Sequence, residues 1–407
     1  MTSTEPRYAE LILVDANGAV FGKLPPVLAG TPWWAEVESV VTAVREQHGV
    51  EATILRLLSS PPSGMAGGHV SYLAEVNQPV ACAPCVMSLD EHPLRNRFAN
   101  VGGPKADLTW ALSVIAQHGL RPISSPVQIK TWNLSSLWRI PVVNENENEN
   151  ETAWLKAVPR FFQHEGALIN ALAANQYVPR LVGFEPGRLV MREIPGIDLF
   201  EASLAQRIAM IDALVGLQTD WHTRTDELFA IGLPDWRTSA LSAAIASVFA
   251  RTRPQLKDDD IGIIETFIAN LENRFAKINA CGIPDTLVHG DFHSGNVRGG
   301  AVGLTILDWG DAGVGHPLLD APALLRMAPI EQHEPLRQHW IAMWRAALPN
   351  ANPHSAWDLL EPIAAARGAV TYQNFLDNIE PSEHPYHRND PRDALRRVAT
   401  LLRDALA

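Results

Sequence analysis

Between Leu287 and Gly310 the chain runs apolar, then polar and glycine-rich, then apolar again, and this stretch restricts the fold most. Leu287 and Val288 lead into His289, Gly290 and Asp291; four residues separate Asp291 from Asn296; Asp308 and Gly310 end the apolar run 304–307. A carboxylate in such a loop suits the orientation of a hydroxyl and the receipt of its proton. An amide oxygen five residues on, with a second carboxylate at a strand end, suits a divalent cation. Asp-x-Gly alone is a plain β-turn. Joined to the preceding loop, it reads as the other side of a metal site, with Asn296 and Asp308 as ligands and Asp291 as base.

The stretch 288–320, VHGDFHSGNV followed by LTILDWGDAGVGHPLLD, resembles the aminoglycoside phosphotransferase and choline kinase family, small-molecule kinases with a protein-kinase-like fold. His-Gly-Asp in place of His-Arg-Asp points to that family over the protein kinases. The resemblance covers 127–407. It implies ATP or GTP as phosphoryl donor and Mg2+ as cofactor, with His289 supporting the loop; His293 reads as packing within it, with substrate contact as the alternative. It also implies that Lys156, ending the strand TAWLK, reaches the α- and β-phosphates, with Glu165 as its partner. The segment 132–138 stands where a phosphate-covering loop belongs but has no Gly-x-Gly-x-x-Gly, so Ser135 and Ser136 would have to replace the glycine-rich backbone. A short hairpin without nucleotide contact is the other reading. Arg192, Glu193 and Ile194 would offer main-chain groups to adenine or guanine.

The expected fold is therefore α+β and bilobal, with a β-rich N-lobe over 123–195 and a helical C-lobe over 196–407, preceded by a separate α/β domain over 1–122. Two lobes suggest a cleft between them. In the first zone, apolar runs at 9–14, 20–22, 52–58 and 69–76 read as strands, the first two joined by a turn at Asp15 to Gly18. Helices are expected at 34–47, stopped by Gly49, and at 106–118. Strands at 137–143 and 152–158, a helix at 159–174 and a hairpin over 181–192 form the second zone. The Asn-Glu alternation at 144–151 has no apolar face and reads as a solvated loop. Beyond 198, helices are expected at 205–222, 261–280, 332–347 and 390–406, with one strand at 304–308 and a loop over 378–392.

The first zone is similar to a Nudix-type domain. Such a domain holds Mg2+ with several glutamates on one helix, and only Glu46 stands near the required place, with Glu36 and Glu38 offset. Binding or dimerisation is the expectation there rather than hydrolysis.

A formal net charge of −12 argues against a nucleic-acid partner. No apolar run of membrane-spanning length and no basic, apolar leader occur, so a cytoplasmic enzyme is expected. Three cysteines make no disulfide framework, and Cys82 with Cys85 lacks further ligands at metal spacing. Acidic residues at Asp311, Asp320, Asp377, Glu380 and Glu383 read as solvated faces, with an acceptor-site role as the alternative. The resulting expectation is a Mg2+-dependent kinase for a small hydroxylated acceptor. The alternative is a ligand-binding pseudokinase with an N-terminal partner-recognition domain. A nucleoside diphosphate hydrolase in the first zone is a third reading. Oligomeric state is not readable.

Overall fold

The computed structural model describes residues 5–144, 149–300 and 303–404. The chain is mixed α+β, with a β-rich part and a helical part, and it divides into two compact units. One holds the described residues up to Gly166 with 180–193 and 375–388; the other holds 167–179, 194–374 and the described residues from 389 onward.

The β-rich unit contains two sheets. In the first, Arg7–Val14 pairs antiparallel with Val20–Lys23 and with Val27–Leu28, and parallel with Gly68–Val76, which pairs antiparallel with Ala52–Ser59. The Asp15 carboxylate accepts from the amides of Asn17 and Ala19, each at 2.8 Å, and so makes the expected turn. The parallel pair needs a crossover, which carries the helix Glu38–His48, stopped by Gly49 at φ 68°. Leu11, Leu13, Trp34, Val40 and Val44 form its core.

The second sheet is antiparallel throughout. Its order is Leu181–Glu185, Arg188–Arg192, Glu149–Ala157, Ser135–Asn144 and Leu120–Pro122, with Val127–Trp132 also paired to Ser135–Asn144. Helix Gly103–Gln117 covers it, placing Ala111 and Ile115 against Trp138, Ile140, Leu155 and Val190. The expected domain boundary at 122/123 is thus no break in packing, because this helix and the strand Leu120–Pro122 belong to the second sheet. The Gln128 amide also closes onto both backbone groups of Ile54, at 2.7 and 2.9 Å, which continues the hydrogen bonding of the first sheet. Of the Asn-Glu alternation at 144–151, read as a solvated loop, 145–148 lie outside the described residues. Asn144 ends the strand Ser135–Asn144 and 149–151 open the strand Glu149–Ala157, with Asn144 paired to Glu149, so backbone pairing carries the strands into a segment that has no apolar face.

Three local expectations are corrected. The helix at 159–174 is shorter, Glu165–Ala171 after a turn at Arg160–Phe162. The helix at 261–280 is two, Asp258–Ala269 and Leu271–Asn279. Asn270 breaks it, its side-chain amide bonding back to Thr266 O at 2.8 Å. The loop over 378–392 contains a 3-10 turn, Pro381–Tyr386, that buries Glu383, Pro385 and Tyr386. Tyr386 sits edge-on to both Trp34 and Trp132, each at 5.5 Å, in the core of the first sheet. Glu380 bonds to Arg95 and lies 3.6 Å from Arg56.

The other unit is largely helical. Leu204–Trp221 begins with a capping box of Ser203 and Gln206. Where one strand was expected, five short ones occur among the described residues. Ile197–Asp198, Val297–Gly300 and Gly303–Ile306 form one small sheet, and Thr286–Val288 pairs with Gly313–Gly315. Pieces of two to four residues are too short to carry a periodic signal. Among the described residues, no helix is long and apolar enough to cross a membrane.

Candidate active site

The small sheets of the helical unit explain how a linear pattern becomes a site. Thr286–Val288 is wholly buried and delivers His289 to the interior. Val297 pairs with Ile306, and the Leu307 amide donates to Asn296 O at 2.8 Å, so Asn296 and Asp308 stand at the two feet of one hairpin. Asp308 has φ 61° and ψ 60° and is the only residue other than glycine with positive φ among the described residues. Aspartate tolerates this left-handed backbone better than most residues, and such strain is characteristic of functional positions. Trp309, fully buried behind it, bonds to Ile306 O at 3.0 Å and packs 4.6 Å from the His289 ring.

Asp291 is half-exposed. Asn296 Nδ2 donates to its carbonyl at 2.9 Å and to its Oδ2 at 3.2 Å, and His293 Nε2 approaches Oδ2 at 3.3 Å. Burial raises the carboxyl, but the His293 bond and the imidazoles nearby outweigh it and hold Asp291 below its ordinary range. Because both acceptors on Asp291 demand the Asn296 nitrogen, the amide oxygen is the atom left for a cation. His293 does more than pack: its Nδ1 accepts from Gly295 N at 3.0 Å, so the ring hydrogen is on the nitrogen beside Asp291. His289 is fully buried, with Nε2 donating to Leu307 O at 2.8 Å, and burial pushes it down to about 4. It is neutral and structural, as expected.

Asp320, expected on a solvated face, lies under the loop. Fully buried, it accepts from the amides of His289 at 2.9 Å and Gly290 at 2.7 Å, and from Gln218 at 2.9 Å. Burial pushes it up to about 6 despite those amides. Arg367, buried against Trp236, donates to Gly290 O. Gly290 itself has φ 92°, and a Cβ there would stand 2.0 Å from Asp311 O. That collision accounts for glycine between the histidine and the aspartate. The HPLLD run carried the signal for Asp320, but nothing local said that its carboxylate turns inward.

In the β-rich unit, Lys156 on Glu149–Ala157 donates to Glu165 at 2.7 Å, with Glu165 buried at the start of its short helix. The expected pair is formed. Ser135 and Ser136 lie at the start of Ser135–Asn144, where their hydroxyls accept from Trp132 and Trp138 at 3.1 and 3.2 Å. Ser136 is fully buried, while Ser135 is half-buried. The amides of Arg192 and Glu193 already donate to Arg180 O and Thr152 O, each at 2.9 Å. Arg192 also pairs with Glu151 at 2.7 Å, and Glu193 accepts from Trp154.

Among the described residues, no three His, Cys, Asp or Glu side chains gather as a metal site. One carboxylate and one amide oxygen nevertheless suit Mg2+, which completes its shell with water and phosphate oxygens.

The profile of the phosphotransferase enzyme family matches residues 150–357, a range that contains Lys156, Glu165, Asp291, Asn296, Asp308 and Asp320. No curated protein matches the sequence. Among solved structures, choline kinase from Cryptosporidium parvum Iowa II is 10% identical, over 74% of this chain and 96% of its own, with a TM-score of 0.52. A choline/ethanolamine kinase family protein from Mesorhizobium loti is 14% identical over 74% and 94%, at 0.49. A macrolide 2'-phosphotransferase type I is 16% identical over 72% and 97%, at 0.48. The first supports the fold; the family match extends to residues 1–149 in no part. By that match over half its length, this chain belongs to the phosphotransferase enzyme family.

Proposed function

We propose that the protein moves the γ-phosphoryl group of ATP or GTP onto a hydroxyl of a small acceptor, an aminoglycoside-like compound, a sugar or an amino alcohol. The observation that carries this reading is the Asp291 carboxylate, bonded by Asn296 and held below its ordinary range by His293, beside an amide and a carboxylate suited to one cation. Asp291 orients the acceptor hydroxyl and takes its proton. Asn296 and Asp308 hold Mg2+, which when bound neutralises phosphate charge. Lys156, steadied by Glu165, binds the α- and β-phosphates. The nucleobase meets main-chain carbonyls at 192–194 and the Ile194 amide, since the two preceding amides are engaged. Catalysis of this kind is mostly positioning and charge neutralisation.

The test is Mg2+-dependent transfer from ATP or GTP into a pooled set of aminoglycosides, other antibiotics, sugars and amino alcohols, read by mass spectrometry with Asp291→Asn as control. A phosphate adduct with the wild type alone supports the kinase and names its acceptor class. The engaged Ser136 hydroxyl and the absence of a glycine-rich phosphate loop favour one other reading, a nucleotide-binding pseudokinase with partner recognition over 1–122. Nucleotide binding with no adduct from any acceptor would point that way.

A further inference from the structure

Asp320 and Arg326 bracket one short helix, Ala321–Arg326, and both ends of it address the catalytic loop. Asp320 holds the amides of His289 and Gly290 from beneath. Arg326 stands on the side of the next residue, with Nη2 3.8 Å from Asp291 Oδ1 and its side chain 62% exposed. The donors from within the loop, His293 and Asn296, both go to Oδ2. Oδ1 is therefore the oxygen turned toward the acceptor hydroxyl, and a guanidinium waits just beyond hydrogen-bond reach of it.

As a stabilising device that arrangement is poor. An exposed ion pair at this separation contributes little, and the dipole that favours a cation at a helix end does not require aiming it at Asp291. As part of phosphoryl transfer it has a use. The acceptor oxygen must stand about 2.6–3.2 Å from the base. A phosphoryl group joining that oxygen brings its negative oxygens into the region next to the same guanidinium. Arg367, also at the loop, is buried, lies over the Trp236 ring and donates through Nη2 to Gly290 O, whereas Arg326 is exposed. A planar guanidinium fits paired phosphoryl oxygens.

We infer that Arg326 is a catalytic residue that contacts the phosphoryl group in transit, through a guanidinium placed beside Asp291 Oδ1. This rests on the proposed phosphotransferase reading. In the step, the acceptor oxygen forms a bond to the γ-phosphorus and its proton passes to Asp291. The bond from the γ-phosphorus to the bridging oxygen breaks, and that oxygen leaves with the electron pair on the nucleoside diphosphate. Arg326 neither gains nor loses a proton; it offsets charge that spreads over the three phosphoryl oxygens.

The test needs no known acceptor. Binding of Mg-ADP is measured by calorimetry with and without aluminium fluoride, a mimic of the phosphoryl group in flight, for wild type, Arg326→Ala and Arg326→Lys. The Kd for Mg-ADP alone is expected to stay within about twofold, while the tightening caused by aluminium fluoride falls about tenfold or more in Arg326→Ala and less in Arg326→Lys. With an acceptor in hand, kcat should fall about a hundredfold with both KM values little changed. Full tightening in Arg326→Ala overturns the inference, as does a raised acceptor KM with kcat intact, which would assign Arg326 to acceptor binding. In both cases the wild type still binds nucleotide. A wild type that binds none removes the phosphotransferase reading itself, and this inference with it.

Discussion

Two fully buried carboxylates, Asp320 and Glu383, show what separates the catalytic loop from the first sheet. Asp320 takes two backbone amides and a glutamine amide, and burial raises it only to about 6. Glu383 accepts from the Leu57 amide at 3.0 Å, has Glu380 as an acidic neighbour, and is pushed by burial up to about 8 despite Leu57, Arg56 and the Asn133 amide. At neutral pH the first is an ion that organises the backbone around Asp291. The second is a neutral acid that ties the segment around Tyr386 to the strand Ala52–Ser59. Donors aimed at a carboxylate, more than its depth, decide which of these it becomes.

If that distinction is right, removing the two carboxylates has different consequences. Asp320→Ala leaves two loop amides buried without an acceptor. It should lower transfer about a hundredfold or more and cost about 3–5 kcal/mol in denaturant unfolding. A variant with wild-type turnover would deny the loop its dependence on Asp320. Gly290→Ala tests the same loop from above, since its Cβ meets Asp311 O and its backbone is left-handed. A smaller loss of activity, about tenfold or more, is expected with about 1–3 kcal/mol of destabilisation; unchanged kinetics and melting would show that the loop can give way.

The smallest effect is the most specific. Glu383 binds its proton more tightly folded than unfolded, so the folded state holds more protons between about 4.5 and 8, and stability falls as pH rises through that window. Asp320 has the same sign, but its window closes near 6. Glu383→Gln should therefore flatten the decline in melting temperature between pH 6 and 8 while leaving transfer within about twofold. An unchanged slope would mean that Glu383 is ionised in the fold.

The core of the site was legible because it is local. Asp291, Asn296 and Asp308 fall within one loop and one hairpin, so spacing groups them; the pairing of Lys156 with Glu165 is what the family resemblance implied, and one strand and the helix after it bring the two together. The helical character of the second half followed from apolar periodicity, and the stop at Gly49 from its backbone freedom. Asn270 was not legible as a break, because its bond back to Thr266 competes with a pattern that otherwise continues. Nor was the burial of 381–387, whose polar composition describes a loop until Tyr386 is placed between two tryptophans.

The sequence by itself determined which polar groups lie close along the chain, since Asp291, Asn296 and Asp308 at short spacing need only a turn and a hairpin to meet. Only the tertiary structure decided that Asp320 supports the loop, that Arg326 stands 3.8 Å from Asp291, and that Glu383 enters the first sheet, 326 residues from its partner Leu57. Those roles depend on desolvation and on donors from distant segments, and neither is encoded in the residues beside them.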